Sequence, residues 1–374
     1  MRKPPGEGTV CQRKDGRWQA SLQVHGVRKT VYAKTEREAR QKLAELRKQA
    51  ALQGALPDPG KRTVGDLLDA WLEVNAPNWR PRTLEDRQTL CNVHIRPALG
   101  KVRLERLSPQ RIQALYSALL RDGKGRTAQK AHCVLHAALG LAVRWGWLPQ
   151  NPCDRVQPPR HHTRRRDVWT PQDLGRFLQG AEGHPLYPLW AFLLASGCRL
   201  GEALALTWQD IDWQAGTVTI SKSLQRVGGE WLLQPPKTKA GERTLTLPSW
   251  GLSALKGQRA QQARWRLQAG ARWCNEWGLV FTGRDGSPLH RPCVARALRQ
   301  ACQRLGLPPL TPHGLRHLHA SLLLDAGLSV PEVAARLGHA NPVVTMSVYA
   351  HKVRKGDRAA AQAVERAIGR CSSL

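Results

Sequence analysis

Two proline-bearing breaks divide this chain, and they constrain its fold more than any other feature. The first is ALPDPGKR, residues 55–62; the second is PPRHHTRRRD, residues 158–167, proline-rich and then strongly basic. Proline cannot donate to a helix or to a central strand, so regular structure stops at both places. Each of the three stretches so defined must bury a core of its own. Their hydrophobic periods differ, which sets the expected domains at residues 1–57, 62–158 and 166–374.

The first stretch, GTVCQRKDGRWQASLQVHGVRKTVYAK, alternates polar and apolar residues between turn signals at Asp15-Gly16 and His25-Gly26. That is the pattern of a three-stranded antiparallel sheet. Thr35 and Glu38 then form a capping box that opens a helix, EREARQKLAELRKQAAL. The second stretch reads as all-helical. TVGDLLDAWLEV has apolar positions at helical spacing, Thr83 is a candidate cap, and Ser108-Pro109 is a cap followed by a first-turn proline. A fourth helix is expected from about Ala128 to Trp145.

In the third stretch, Thr170-Pro171 opens a helix, and PLYPLWAFLLASGCRLGEALALTW is an apolar helix broken at Ser196-Gly197. Three short strands follow (TVTISKSL, GEWLLQPP and ERTLTLP), and then a histidine-rich helix start, LTPHGLRHLHASLLLDAG. The fold class expected is therefore multidomain α+β. It comprises a small sheet with one helix, an all-α bundle, and a mixed, mainly α domain with a small antiparallel sheet.

Charge narrows the partner. The chain of 374 residues carries 58 Lys+Arg against 28 Asp+Glu, a net charge of +30. The excess is spread along it: 13 against 6 in residues 1–60, 19 against 8 in 61–165, and 26 against 14 in 166–374. A surplus in every section points to a long polyanion, most simply nucleic acid. With 41% hydrophobic residues and 14 Trp, the chain can also bury real cores. The nine cysteines are scattered and never spaced CxxC, which reads as reduced cytoplasmic thiols rather than a disulfide framework or zinc knuckle. No run approaches about 18 apolar residues and the N-terminus lacks an apolar leader, so neither a membrane span nor a signal peptide is expected.

Several residues invite chemistry. Arg13, Lys14, Arg17, Arg28, Lys29 and Lys34 stud the N-terminal sheet, and Arg164, Arg165 and Arg166 crowd the second break. All are candidate phosphate contacts. Arg199 lies just past the Ser196-Gly197 break, with Glu202 three residues on; alone, such a pair is a helix-surface salt bridge. His313 and His317 stand one helical turn apart, but no carboxylate or thiol completes a metal set, so no metal is expected.

Together the pieces make a pattern that none makes alone. Arg199, Lys237, His313, Arg316, His339 and Tyr349 follow in that order, within SGCRLGEALAL, KTKAGER, HGLRH, and LGH with a Tyr ten residues beyond it. This set closely resembles the tyrosine recombinase family, the lambda-type phage integrases. The resemblance implies an arm-type DNA-binding domain, a helical core-site DNA-binding domain and a catalytic domain in chain order. It implies a 3′-phosphotyrosyl intermediate on Tyr349 and double-stranded attachment sites as substrate. It also implies a homotetramer on DNA, with a directionality factor and a host DNA-bending protein as partners, and no cofactor.

The chemistry suits those residue types. A phenol is a tolerable nucleophile and a better leaving group than an alcohol. Arg199 and Arg316 would clamp the nonbridging oxygens, His313 would take the phenol proton, His339 would hydrogen-bond the phosphate, and Glu202 would orient its neighbours. Lys237, which precedes Thr238 as in the family's KT pattern, is the expected acid for the departing 5′-oxygen, with Lys239 the alternative. Type IB topoisomerases use similar groups to nick and reseal DNA. The other reading left open is a DNA-binding regulator without turnover.

Overall fold

A computed structural model of the chain describes residues 8–24, 27–53, 61–160, 169–236 and 239–339. The chain divides into two compact units, 1–164 and 165–374.

The first unit begins with strands β1 (Thr9–Gln12), β2 (Trp18–Val24) and β3 (Val27–Ala33), joined as an antiparallel sheet in that order, and helix α1 (Glu36–Gln53). Gly16 takes the left-handed conformation that the β1–β2 turn requires. Thr35 accepts from the Glu38 amide as expected, but the Glu38 carboxylate accepts from the Lys34 amide rather than from Thr35. Val10, Trp18, Ala20, Leu22, Val31 and Ala33 meet Ala39, Leu43 and Leu46 of α1 in one core. Alternation along a strand then decides which side chains stay open. Arg28 pairs with Gln23 on the open face, whereas Lys29 pairs with the buried Leu22 and so starts from the face that α1 covers. Adjacent residues on a strand point to opposite faces, so Arg28 and Lys29 start from different sides of the sheet.

Helices α2 (Val64–Asn75), α3 (Pro81–Leu90), α4 (Arg96–Leu99), α5 (Pro109–Arg121) and α6 (Gly125–Arg144) form a separate core within the same unit. A reciprocal Thr63–Asp66 box opens α2, and Ser108 caps α5 through the Arg111 amide. Thr83 is not a cap: α3 begins at Pro81, where the fixed proline φ suits a first helical turn. The fourth expected helix starts three residues early, at Gly125. Buried Ala128, Ala131, Ala138 and Ala142 let its neighbours approach closely.

The second unit is built around α8 (Tyr187–Ser196), every residue of which from Pro188 onward is buried. A helix without a polar face must be enclosed on all sides. It follows α7 (Pro171–Ala181), opened by a Thr170–Asp173 box, and leads through left-handed Gly197 into the short α9 (Leu200–Leu204). Strands β4 (Ile211–Asp212), β5 (Thr217–Ile220), β6 (Ser223–Val227), β7 (Glu230–Gln234) and β8 (Arg243–Thr246) come next. They form two antiparallel sheets, β4-β5-β8 and β6-β7. TVTISKSL is thus two strands in different sheets, not one, because after Ile220 the chain leaves β8 and pairs forward with β7. Helices α10 (Ser249–Ala269), α11 (Arg291–Arg304), α12 (Pro312–Asp325) and α13 (Val330–Leu337) complete the unit. Among the described residues no helix is long and apolar enough to cross a membrane.

Trp190 is fully buried between the Phe177 ring, 5.7 Å away, and the His184 ring, 4.5 Å away. Trp190→Ala should therefore destabilise the second unit by about 3–5 kcal/mol. Denaturant unfolding of the full chain should show the transition of this unit at a clearly lower midpoint.

Candidate active site

The site grows from two helix ends. Left-handed Gly197 closes α8, its amide donating to the Leu193 carbonyl, and turns the chain so that Arg199 becomes the N-cap of α9. Glu202, in the first turn of α9, receives the Arg199 amide at 2.9 Å and Arg199 Nη1 at 2.8 Å. What reads in the sequence as a surface salt bridge is one-sided in the structure. The Arg199 side chain is 45% exposed, while that of Glu202 is 4% exposed.

Arg316 arrives from α12, a helix capped by Thr311. It is 3% exposed, and its two terminal nitrogens donate to the carbonyls of Gly197 (2.9 Å) and Leu337 (2.8 Å). The guanidinium thereby links the end of α8 to the end of α13. Burial, reinforced by the charge of Arg199, lowers its pKa to about 10, so it stays charged near neutral pH.

At the end of α13 a second left-handed glycine, Gly338, releases His339 from the helix, and the His339 amide returns to the Ala334 carbonyl at 3.0 Å. A Cβ on Gly338 would lie 2.8 Å from both the Ala240 carbonyl and Arg243 Nη1, so this turn admits only glycine. Burial, followed by the charges of Arg316, Arg199 and Arg243, pushes His339 down to about 4. It is a neutral imidazole near neutral pH, lying within the field of the same arginines. His313 is exposed on the first turn of α12, its ring edge-on to His317 with centroids 4.4 Å apart. Among the described residues no group of three or more His, Cys, Asp or Glu could hold a metal ion.

The structure thus gathers Arg199, Glu202, Arg316 and His339, with His313 on the helix that carries Arg316. Lys237, Tyr349, Arg164, Arg165 and Arg166 lie outside the described residues.

Three supporting residues were not singled out in the sequence reading as part of the site. Arg243, the first residue of β8, donates Nη2 to Glu202 at 3.0 Å, Nη1 to the Gly241 carbonyl and Nε to the Arg336 carbonyl. Burial works to raise the pKa of Glu202, but the Arg243 charge and the Arg199 donors outweigh it and hold the carboxyl below its usual value. Arg336 in turn donates to the carbonyls of Ala195 and Thr246 and to Nε2 of His319. His319 Nδ1 lies 2.7 Å from the Leu194 carbonyl, which can only accept. Its proton is therefore on Nδ1, and Nε2 accepts from Arg336. The ring also fills the space beside Gly197, where a Cβ would come within 2.4 Å of it. The only sequence signal was position: His319 lies three residues beyond Arg316, and Arg336 three before His339.

Comparison with known proteins places this architecture. The Phage integrase family model matches residues 170–355, and the Phage integrase, N-terminal SAM-like domain model matches 63–120. A tyrosine recombinase XerC-like protein of Caldanaerobacter subterraneus subsp. tengcongensis is 28% identical over 349 residues, 88% of this chain and 89% of that protein. An integrase of Streptomyces ambofaciens is 29% identical over 334 residues, 86% of this chain and 84% of that protein. Among solved structures, the Tn1549 transposon integrase in complex with a circular intermediate DNA shares the fold with a TM-score of 0.71 at 20% identity, over 81% of this chain and 99% of that one. A lambda integrase tetramer bound to a Holliday junction shares it with a TM-score of 0.59 at 19% identity, over 91% and 94%. The chain belongs to the phage integrase family and is a tyrosine recombinase, an enzyme that cuts and rejoins DNA at specific sites.

The neutral, buried His319 has a pH signature. Burial lowers its pKa to about 4, below the ordinary histidine value, so the unfolded chain binds this proton more readily than the folded one. Its contribution is intact above about pH 6.5 and is lost as pH falls toward 4, amounting to about 3 kcal/mol in the limit. His319→Gln removes the titration. Unfolding free energies measured between pH 7 and 4.5 should fall less steeply in that variant than in the parent chain.

Proposed function

We propose that this recombinase cleaves DNA with Tyr349 as nucleophile, forming a 3′-phosphotyrosyl link and a free 5′-hydroxyl. The observation that carries the reading is the arrangement of Arg199 and Arg316 around one buried carboxylate, with His339 within their field. Two guanidiniums so placed can clamp the nonbridging oxygens on which charge grows in the transition state. Arg199 presents its exposed side to the phosphate. Arg316, held by two carbonyls, keeps a fixed position and retains N–H groups beyond the two already used. Neutral His339 donates a hydrogen bond to the phosphate, and the approaching negative charge raises its pKa. His313 takes the phenol proton. Lys237 protonates the departing 5′-oxygen, with Lys239 the alternative two residues on. Glu202 holds Arg199. The phosphodiester energy is retained in the covalent link, so rejoining requires no nucleotide.

The domains take the roles the family resemblance implies. Residues 1–57 form an arm-type DNA-binding domain whose open sheet face offers Arg28, with Arg13, Lys14 and Arg17 at the β1–β2 turn. Residues 62–158 form the core-site binding domain, and 166–374 the catalytic domain. Arg164, Arg165 and Arg166 contribute DNA-phosphate contacts. The substrates are double-stranded attachment sites of a prophage or integrative element in the cytoplasm. The working assembly is a homotetramer on DNA, with a directionality factor and a host DNA-bending protein as partners.

Tyr349→Phe keeps the ring and loses the nucleophilic oxygen. It should bind a core-site duplex normally and form no covalent adduct on a nicked suicide substrate; an adduct from the Phe variant would place the nucleophile elsewhere.

The acid is tested by the leaving group. An alkoxide, far too strong a base to persist near neutral pH, needs a proton to depart, whereas a thiolate, whose thiol has a pKa of about 8.5, does not. Lys237→Ala should cleave ordinary DNA very poorly and recover most of its rate when sulfur replaces the 5′-bridging oxygen. Arg199→Ala should not recover. Selective rescue of Lys239→Ala instead would move the acid two residues along, and rescue of neither would assign the proton to another group.

A further inference from the structure

Arg243 is nearly buried, its side chain 8% exposed, and among the described residues its hydrogen bonds reach the groups assigned to phosphate or proton transfer only through Glu202. Three of its nitrogens each serve a different segment. Nη2 donates to Glu202 of α9 at 3.0 Å, Nη1 to the Gly241 carbonyl in the loop before β8 at 2.9 Å, and Nε to the Arg336 carbonyl of α13 at 2.9 Å. Those segments lead to different parts of the site. Glu202 holds Arg199; Gly241 follows Lys237 and Lys239 in the KTKAGER loop; Arg336 precedes His339 on the way to Tyr349. Gly338 packs so closely on this guanidinium that a Cβ would lie 2.8 Å from Nη1.

A guanidinium is rigid and planar, so three acceptors bound to one of them cannot shift independently. We propose that Arg243 is a positioning residue for cleavage: it sets the phosphate clamp, the loop that carries the acid and the helix that leads to the nucleophile in one fixed relation. Its charge is a separate matter, since any cation at this place would hold Glu202 ionised. The geometric role belongs to arginine alone. This inference rests on the reading of Arg199 as phosphate clamp and Tyr349 as nucleophile.

Arg243→Lys separates the two roles, because an ammonium keeps the charge but cannot reproduce the planar three-way fork. In the full chain, binding to a core-site duplex should stay within about threefold, as these contacts do not read DNA. The single-turnover rate of adduct formation on a suicide substrate should fall on the order of 100-fold, the cost of displacing catalytic groups by about 1 Å. In a double-mutant cycle with Glu202→Gln, the combined loss should be smaller than the product of the two single losses, because the variants break the same tie. Hydrogen exchange should rise together in residues 239–243 and 334–339. Gly338→Ala, which forces a Cβ against the guanidinium while keeping Arg243, should show the same split between binding and cleavage; it serves where the lysine variant is too unstable to assay.

A folded variant of either kind that cleaves within about threefold of the parent would overturn the proposal, as would fully multiplicative losses in the cycle. A parent chain that forms no adduct would instead overturn the reading of Tyr349. Hydrogen exchange would then decide the tie alone, unchanged exchange in Arg243→Lys refuting it.

Discussion

The carboxylate of Glu202 stands where three arginines converge, and the candidate site depends on that convergence. Arg199 and Arg243 bond to it directly, and its charge also acts on Arg316. Like charges gathered in a partly buried space repel one another, and the repulsion grows as solvent is excluded. One buried carboxylate offsets part of this and fixes where two of the guanidiniums lie. The excess positive charge that remains suits a site for a phosphodiester, whose own charge relieves it.

The two left-handed glycines serve the same end. Gly197 and Gly338 close α8 and α13, and each sits against a side chain of the site's support, His319 in one case and Arg243 in the other. Arg316 spans both ends through its carbonyl bonds. The ends of α8 and α13 are thereby fixed to each other through arginine–carbonyl hydrogen bonds, from Arg316 and from Arg336 to the Ala195 carbonyl. A site that must aim several groups at one phosphorus needs such rigid supports, since its groups are brought in from α9, α12 and the chain beyond α13.

The basic sheet, the helical bundle and the catalytic unit have separate hydrophobic cores. An enzyme that must hold a long polyanion along its length gains from such division. Each core can be modest, and the basic excess that suits a polyanion is spread along the chain rather than massed in one section.

Much of this was legible in the sequence because it follows from local rules. The Ser108 and Thr170 caps, the alternation of the N-terminal strands and the unbroken apolar run of α8 are all set by neighbours along the chain. The ordered motifs around Arg199, His313, Arg316 and His339 carry the family resemblance for the same reason, because each is a short run of residues. Pairing and facing were not legible. Whether TVTISKSL is one strand or two depends on where β7 and β8 lie, and whether Lys29 shares a face with Arg28 depends on register with β2. The roles of Arg243, Arg336 and His319 were hidden most completely. Each acts through carbonyls or side chains far away in sequence, and an arginine that bonds to backbone leaves no partner residue type to be recognised. The sequence by itself determined most of the helices and the chemical groups present. Only the tertiary structure decided which of those groups share one site, because hydrogen bonds between distant segments are fixed by packing and not by spacing along the chain.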